Sequence, residues 1–321
     1  MIPLMDVKVL HYLKCTNSKW RERIQQYVEK CVPRFQFVTK FGTRGGGNGQ
    51  FNGPWFIAAD KQGNIYVSDG DNHRIQVFNP NGQWKMSVGT EGSGNGQFNC
   101  PMGIAFNSNN HMFVADWRNY RIVELDQNML FIKIFGSKGR QDGKFDCPRG
   151  IAIDANDNII VADRDNHRLQ KFNKNGNWML TFGEKGSGNG EFKYPHDVIV
   201  CKTSGRIFVS DTVNHRIQVF GPDGKFLFKF GSYGSENGQF DCPHGLALSH
   251  CGQFLFVCDE YNHRIQLFDA NNGQFIKCYG SYGSNNCQFT HPTGICIAPS
   301  GRIIVSEGYW NGEQHRLQIF Q

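Results

Sequence analysis

Short apolar runs bounded by Asn, Asp and Gly recur along the chain. Between Cys147 and Phe192 four of these runs occupy 150–153, 159–162, 168–172 and 178–182. Each is four or five residues long and rich in Ile, Val or aromatic residues, which is typical of strands rather than helices. The segment therefore predicts four short antiparallel strands, which we name a, b, c and d in chain order.

The c strand is spelled almost identically six times. NHRIQVF stands at 72–78 and again at 214–220, and its variants NYRIVEL, NHRLQKF, NHRIQLF and QHRLQIF stand at 119–125, 166–172, 262–268 and 314–320. The arginines of these stretches lie 47, 47, 48, 48 and 52 residues apart. A period of this length marks a repeat architecture, so the chain contains six copies of one structural unit.

Four antiparallel strands per unit, with apolar residues on both faces, predict the blade of a β-propeller. The sixth unit ends at Gln321 after its c strand, whereas FQFVTKF at 35–41 has the d-strand pattern without a preceding blade. We therefore expect 35–41 to complete the last blade, which leaves no open sheet edge. The predicted fold is an all-β, six-bladed propeller over residues 35–321.

Residues 1–34 lie outside the repeats and form a predicted N-terminal extension. Within 18–31 one helical stripe is apolar, and its residues are Trp20, Ile24, Tyr27, Val28 and Cys31. The pattern predicts one short helix, which either packs on the propeller, acts as a linker or binds a partner.

An acid precedes each c-strand arginine at a regular distance. Asp69, Asp116, Asp163, Asp211 and Asp259 stand five residues before their arginines, and Glu307 stands nine before Arg316. We expect each pair to form a charge-assisted bond in the scaffold rather than a ligand site.

Composition narrows the compartment and the chemistry. The chain carries 11 cysteines with no C-x-x-C pair, lacks a signal-peptide pattern, and has no apolar run long enough to cross a bilayer. These features favour reduced thiols and a cytoplasmic protein without membrane contact. No cysteine spacing fits a zinc site, so we predict neither metal nor cofactor. The net charge of +6 permits nucleic-acid binding without requiring it.

The string G-x-x-x-G-x-G-x-F-x-x-P-x-G-I-A, followed by V-x-D-x-x-N-H-R-I-Q-V-F, resembles the NHL repeat. Six such units over residues 35–321 look like the propeller of the TRIM-NHL family, and blades one and four are most similar to its stem-loop-binding, developmental-timing branch. The resemblance implies RNA binding on one face, in the 3′ untranslated regions of messengers, and post-transcriptional repression with recruited co-repressor proteins. The RING and B-box patterns of that family are absent from these 321 residues.

Two positions in every blade are expected to share one face, because the d–a and b–c loops of a propeller emerge on the same side. They are the residue after the repeat proline and the two residues after the repeat acid. The RNA-binding set predicted from these positions is Arg149, Arg164, Trp117, Arg118, His196, His244, Trp55, Tyr261, Tyr309, Met102 and Thr212. Cations follow phosphates and aromatic rings stack on unpaired bases, which is what single-stranded or looped RNA requires.

Some of these residues have other plausible roles. Trp55 equally suits a lid over the central channel, and Met102 and Thr212 also suit spacers. Arg149 and Arg164 rank first because neither has an acid at the repeat spacing. Two departures from the repeat are Phe56 and Asp197, which stand where it expects Gly.

Two other function classes compete with RNA binding. A protein-interaction propeller, recruiting partners to a repressor or ubiquitin-ligase assembly, would use the same face. An enzyme would need carboxylates or histidines converging on the propeller axis. Because the repeat acids have arginine partners and the NHR histidines recur as scaffold, we predict that the protein is not an enzyme.

Overall fold

Six four-stranded antiparallel sheets make up most of the described residues, 35–308 and 314–321, of the computed structural model. Blades one to three comprise Pro54–Ala59, Ile65–Asp69, Arg74–Phe78, Trp84–Val88; Pro101–Phe106, Met112–Asp116, Arg121–Leu125, Phe131–Phe135; and Pro148–Ile153, Ile159–Asp163, Arg168–Phe172, Trp178–Phe182. Blades four to six comprise Pro195–Val200, Ile207–Asp211, Arg216–Phe220, Phe226–Phe230; Pro243–Leu248, Phe254–Asp259, Arg264–Asp269, Phe275–Tyr279; and Pro292–Ile297, Ile303–Glu307, Arg316–Phe320, Phe37–Phe41. The prediction of an all-β, six-bladed propeller is confirmed.

The ring closes through the first strand of the propeller. Phe37–Phe41 pairs antiparallel with Arg316–Phe320, with Thr39 opposite Ile319 and Phe41 opposite Leu317. Gln36 and Gln321 exchange two backbone hydrogen bonds of 2.9 Å at the end of this ladder. Each a strand contacts the a strands of both neighbouring blades, and that of blade six contacts that of blade one. The predicted helix at 18–31 lies outside the described residues.

The polar residues of the repeated NHRIQ stretch have structural roles, as blade one shows. Asn72 and Gln76 donate hydrogen bonds to the Asp69 carboxylate, and Arg74 Nε donates to the same group at 2.8 Å. His73 stands in the left-handed region, with φ of 55°, and its Nδ1 accepts the N–H of Cys100 in the next d–a loop. The buried acid therefore has full hydrogen-bond satisfaction, and neighbouring blades are tied together.

The predicted acid–arginine pairs form in all six blades. Their Nε–oxygen distances run from 2.6 to 2.8 Å, and every acid is fully buried. The acid ends strand b and the arginine begins strand c, so in blades one to five the pair holds the short b–c loop closed. In blade two, Arg121 also donates to the carbonyls of Gly94 and Gln97 in the d–a loop.

One glycine per blade is required where a buried phenylalanine of the d–a loop covers the end of strand d. At Gly42, φ is 97° and an added Cβ would lie 2.5 Å from the ring of Phe51. Both constraints exclude a side chain there. This arrangement explains the aromatic-Gly pair that recurs at the end of each d strand.

Candidate nucleic-acid interface

The d–a and b–c loops meet on one side of the ring, as expected. Backbone hydrogen bonds join them in successive blades: Asp71 N–H donates to Asn52, Arg118 to Asn99, and Asp165 to Asp146, at 3.0 to 3.1 Å. We call the surface made by these two sets of loops the loop face. It is the surface on which the sequence places the candidate residues.

The residues after the repeat proline are buried and do not project from the loop face, contrary to expectation. Each is the second residue of strand a and is buried beside the axis: Trp55, Met102, Arg149, His196, His244 and Thr293. Met102 has no exposure at all, and it packs against a core that includes Trp55 and Phe113. Six a strands converging on a narrow axis leave little room for solvent. We therefore remove Met102 from the contact surface.

A stack of rings closes the channel at this face. The rings of Phe56 and His196 stack at 5.2 Å, and those of His196 and His244 stack at 3.9 Å. Blades one and four lie opposite each other in the circle of six blades. The side chain of Phe56 therefore extends across the propeller axis to His196. Most other blades keep Gly here for close strand packing: at Gly245, an added Cβ would lie 2.5 Å from the carbonyl oxygen of Thr293.

Arg149 is held in an aromatic cage beside this stack. Its guanidinium carbon lies 5.0 Å from the centre of the Trp117 ring and 5.6 Å from that of Trp55, within the range of cation–π attraction. One of its NH groups donates to His196 Nε2 at 2.6 Å. Burial, together with the nearby charge of Arg164, lowers the pKa of Arg149 to about 10, so it is a cation at neutral pH.

The two axial histidines are neutral, and their tautomers follow from their partners. Since Arg149 is always a donor, His196 Nε2 accepts and its proton is on Nδ1. His244 Nε2 lies 3.0 Å from Glu260 Oε2 and donates to it. Burial lowers the pKa of His196 well below its usual value, and burial lowers that of His244 to about 4 despite the opposing effect of Glu260. The Nδ1 atoms of both rings and Arg149 Nε are buried without a hydrogen-bond partner among the described residues.

The residues after the repeat acid are better placed for contact. Arg118 is exposed and stacks on Trp117 at 5.1 Å. Arg164 lies 4.6 Å from the Tyr194 ring centre and pairs with Asp165, an acid that the repeat spacing does not reveal. Tyr261 is exposed. Thr212, by contrast, is buried and donates to the carbonyl of Pro243, so it belongs to the scaffold. Tyr309 lies outside the described residues.

Sequence reasoning places Arg44, Lys138 and Lys185 in nearby d–a loops, but it missed that they share a third variable position, the second residue after the d-strand glycine. A short parallel bridge to the buried phenylalanine of the d–a loop fixes this position in every blade. Its occupants are Arg44, Glu91, Lys138, Lys185, Tyr233 and Tyr282. Tyr233 and Tyr282 are 69% and 70% exposed, and Lys138 lies 4.8 Å from the Tyr120 ring. The variation at a fixed place in the repeat was the signal that could have revealed it.

Charge is unevenly distributed around the loop face. Loop residues 117–120, 136–147, 164–167 and 183–194 carry seven Lys and Arg against five Asp and Glu, and we call them the basic sector. Loop residues 42–53, 70–73, 89–100, 212–215, 231–242, 260–263 and 280–291 carry one Arg against five Asp and Glu, and we call them the acidic sector. Arg164, Trp117 and Arg118 of the predicted set lie in the basic sector, and Arg149 lies buried beneath it at the start of strand a of blade three.

Two groups of side chains on this face have metal-ligand types. They are His215, Asp241 and Cys242, and Asp146, Cys147 and Asp165, each with ligand atoms within 4.8 Å of one another. Burial raises the pKa of Cys147 and of Cys242 to about 12, so both are protonated thiols at neutral pH. His215 Nδ1 already accepts the N–H of Cys242. We assign no metal to either group.

The repeat has a known counterpart. A family model described as the NHL repeat matches residues 51–78, 145–172, 192–220 and 240–268, which belong to blades one, three, four and five. These four blades match the NHL repeat. Blade two, with Tyr120 in place of His, and blade six, with its insertion, lie outside the matched segments.

Curated relatives match this NHL propeller over short segments. Protein wech of Drosophila melanogaster is 49% identical over 45 residues, which are 14% of this chain and 5% of that protein. E3 ubiquitin-protein ligase TRIM71 of Rattus norvegicus is 47% identical over 47 residues, 15% and 6% of the respective chains. Protein lin-41 of Caenorhabditis elegans is 39% identical over 47 residues, 15% and 4%. The matched segments thus span only a small part of these relatives.

Solved structures share the NHL propeller's fold. A protein of unknown function from Bacteroides thetaiotaomicron superimposes with a TM-score of 0.67 and 16% identity, over 89% of this chain and 75% of that chain. A streptogramin B lyase superimposes with a TM-score of 0.59 and 13% identity, over 84% and 93%. Identities this low establish the fold alone. No helix among the described residues is long and apolar enough to span a membrane.

Proposed function

We propose that the basic sector of the loop face binds single-stranded or stem-loop RNA, and that the protein represses bound messengers through co-repressors in the cytoplasm. The observation that carries the proposal is the row of cations on aromatic rings: Arg149 between Trp117 and Trp55, Arg118 on Trp117, and Arg164 on Tyr194. Flat faces and fixed cations are the two elements that recognise unpaired nucleotides.

The proposed contacts differ in depth. Arg118, Lys138, Arg140 and Lys185 are exposed and are placed for phosphates. Arg149 is only 8% exposed, so it acts from below, as a fixed charge that holds Trp117 and favours a nucleotide at the axis. His196 and His244, also buried, position Arg149 and the stack rather than lie on the surface. The resemblance to TRIM-NHL propellers supports RNA as the partner, and the short matches to TRIM71 and Protein lin-41 support that relation.

A second candidate, protein binding, rests on the acidic sector. Three exposed tyrosines, Tyr233, Tyr261 and Tyr282, lie there among acidic residues. Tyrosines are enriched in protein interfaces, and the negative charge would favour a basic peptide. In either role we propose a binding module without catalytic chemistry, because Asp197 accepts two backbone N–H groups and His196 is hydrogen-bonded to Arg149.

Fluorescence anisotropy with stem-loop and linear RNAs over a salt series tests the proposal. We expect affinity to fall steeply with salt, with a slope of about 0.7 per phosphate contacted on a single strand. The Arg118→Ala/Arg164→Ala variant should bind at least about tenfold more weakly and show a smaller salt slope. The matched control is Lys174→Ala/Lys225→Ala, which removes two exposed cations from c–d loops and should bind normally. Equal losses of RNA affinity in the two variants would show that the binding is nonspecific charge attraction and would contradict the proposed site.

A further inference from the structure

The central channel encloses a cavity of about 380 Å³, lined by residues of all six a strands. The ring stack of Phe56, His196 and His244 closes the channel at the loop face. At the opposite end the lining comes from two a–b loops and includes Lys202 and His250, both exposed, so this end is the mouth. The cavity is more than twice the size of an engineered cavity of about 150 Å³ that binds benzene.

The wall of the cavity combines apolar side chains with backbone polar groups. Each a strand is the last strand of its sheet and pairs with strand b alone, so its other edge borders the axis. The lining side chains are mostly aliphatic, as at Ile57, Ile151 and Leu246, and some are small, as at Ala105 and Ala247. An aliphatic chain suits such a passage, and the backbone carbonyls of the strand edges are acceptors for a polar end group.

One carboxyl group lies at the inner end of this cavity without a cationic partner. Asp197 is the only acid among the described lining residues, and it is 8% exposed. Its oxygens accept the N–H groups of Val198 and Leu246, but within residues 35–308 and 314–321 it forms no ion pair. Each repeat acid, by contrast, has an arginine. A buried carboxylate without a cation is costly, so a ligand that brings a positive charge would be stabilised there.

The mouth carries charge of the opposite sign. Lys202 is the only Lys or Arg among the described residues that line the cavity, and its side chain is exposed. It follows Asp197 by five residues, so in an extended strand their backbones would lie at most about 17 Å apart. The cavity therefore has an acid at its closed end, a base at its mouth and a largely apolar wall between them.

We propose that the channel binds a linear ω-amino carboxylic acid, with its ammonium group on Asp197 and its carboxylate beside Lys202. The ammonium group is compact and has three donors, which the Asp197 carboxylate and the carbonyls of the strand edges accept. The aliphatic chain replaces water along the apolar wall. The carboxylate stays at the mouth, where it pairs with Lys202 and keeps part of its hydration, so it does not bear the cost of full burial.

This site lies apart from the surface proposed for RNA. No residue of the predicted RNA-binding set is among the described residues that line the cavity, and the mouth opens on the side opposite the loop face. Binding in the channel is therefore independent of the proposed function, and each can fail without the other.

Isothermal titration calorimetry of the 321-residue chain with 8-aminooctanoate at pH 8 tests the proposal. Burial raises the pKa of Asp197 to about 7, so its carboxylate is ionised at this pH. We expect one molecule to bind per chain, and octylamine and octanoate, which each lack one charged end, to bind at least about tenfold more weakly. An absence of binding by 8-aminooctanoate, or equal affinity for either analogue, would overturn the proposal.

Removing the inner charge is the first variant to test. Asp197→Asn should bind 8-aminooctanoate at least about tenfold more weakly, because the ammonium group loses its charged acceptor. The matched control is Asp223→Asn, which removes an exposed acid from the c–d loop of blade four and should bind as the wild type does. Unchanged affinity in Asp197→Asn would contradict the assigned orientation.

A variant at the exposed mouth keeps the test informative should Asp197→Asn fold poorly. Lys202→Glu places an acid at each end of the cavity, so the preference should reverse: 1,8-diaminooctane, with an ammonium group at each end, should bind more tightly than 8-aminooctanoate. The wild type and the control Lys174→Glu, which changes an exposed lysine of a c–d loop, should prefer 8-aminooctanoate. A Lys202→Glu variant with the wild-type preference would remove Lys202 from the site and overturn the proposal.

Discussion

The basic and acidic sectors of the loop face share one backbone and differ in side chains. At the second residue after the d-strand glycine, the basic sector has Lys138 and Lys185, while the acidic sector has Tyr233 and Tyr282 at equivalent bridges. The scaffold acid, its arginine and its asparagine are the same in both sectors. The buried hydrogen bonds thus stabilise the same fold in each blade, and the binding that we propose depends on a few loop positions that carry none of those bonds.

The largest expected effect on RNA binding comes from reversing the charge at these equivalent positions of the basic sector. Lys138→Glu/Lys185→Glu should weaken RNA binding by about two orders of magnitude at low salt, because two phosphate contacts become repulsions. Anisotropy titrations with one stem-loop RNA measure the loss, and thermal unfolding should be unchanged since both lysines are exposed.

The matched variant is Tyr233→Glu/Tyr282→Glu in the acidic sector. It adds the same two carboxylates at the same backbone positions, and we expect RNA affinity to change by less than about threefold. A comparable loss in both variants would show that RNA covers the whole loop face. A loss only in the tyrosine variant would place the RNA on the acidic sector and contradict the proposed site.

A smaller effect concerns the axis, where both sectors meet. The pKa of His244 is lowered to about 4 by burial, so the folded state resists the proton that an unfolded chain takes up near pH 6.5. Stability from this group is therefore present above pH 6.5 and lost as the pH falls towards 4, with about 2 kcal/mol gone at pH 5. His244→Gln keeps a donor for Glu260 and removes the titration.

Urea unfolding at pH 7 and pH 5 measures this difference. The wild type should lose about 2 kcal/mol more of its unfolding free energy than His244→Gln over this interval. Parallel losses in the two proteins would mean that His244 is accessible to solvent, and the closed stack of Phe56, His196 and His244 would then be wrong.

The sequence predicts the scaffold better than the surface, for a physical reason. Residues such as Asn72, Arg74 and Gln76 recur because each donates a hydrogen bond to a buried carboxylate. Their repetition in the sequence therefore predicts the fold directly. The distance of a residue from the propeller axis is not marked by any repetition in the sequence. The residue after the proline varies as a surface residue does, yet Met102 and His196 are buried, because the narrowing ring surrounds them. The pairing of Arg164 with Asp165 and the exposure of Tyr233 likewise depend on loop geometry that spacing does not encode.

The smallest expected effect is a pH dependence of stability at the repeat glycine position, which two blades fill with other residues. Phe56, in blade one, sends a ring over the axis, whereas Asp197, in blade four, accepts the N–H groups of Val198 and Leu246, each at 2.8 Å. Burial raises the pKa of Asp197 to about 7, even though those two N–H groups favour the carboxylate. The folded protein thus binds a proton that the unfolded chain releases near pH 4, and this contribution to stability declines as the pH rises through 7.

Asp197→Asn removes that titration while keeping one acceptor oxygen. Relative to the wild type, the variant should gain about 1 kcal/mol of unfolding free energy between pH 6 and pH 8, whatever its absolute stability. Urea midpoints at the two pH values measure the change, and Phe56→Leu, at the equivalent position in the opposite blade, should show no such pH dependence. A constant difference between Asp197→Asn and the wild type would mean that the two N–H groups fully offset the cost of burial. Asp197 would then be an ordinary ionised link between blades four and five, and the two substituted glycine positions would differ in shape alone.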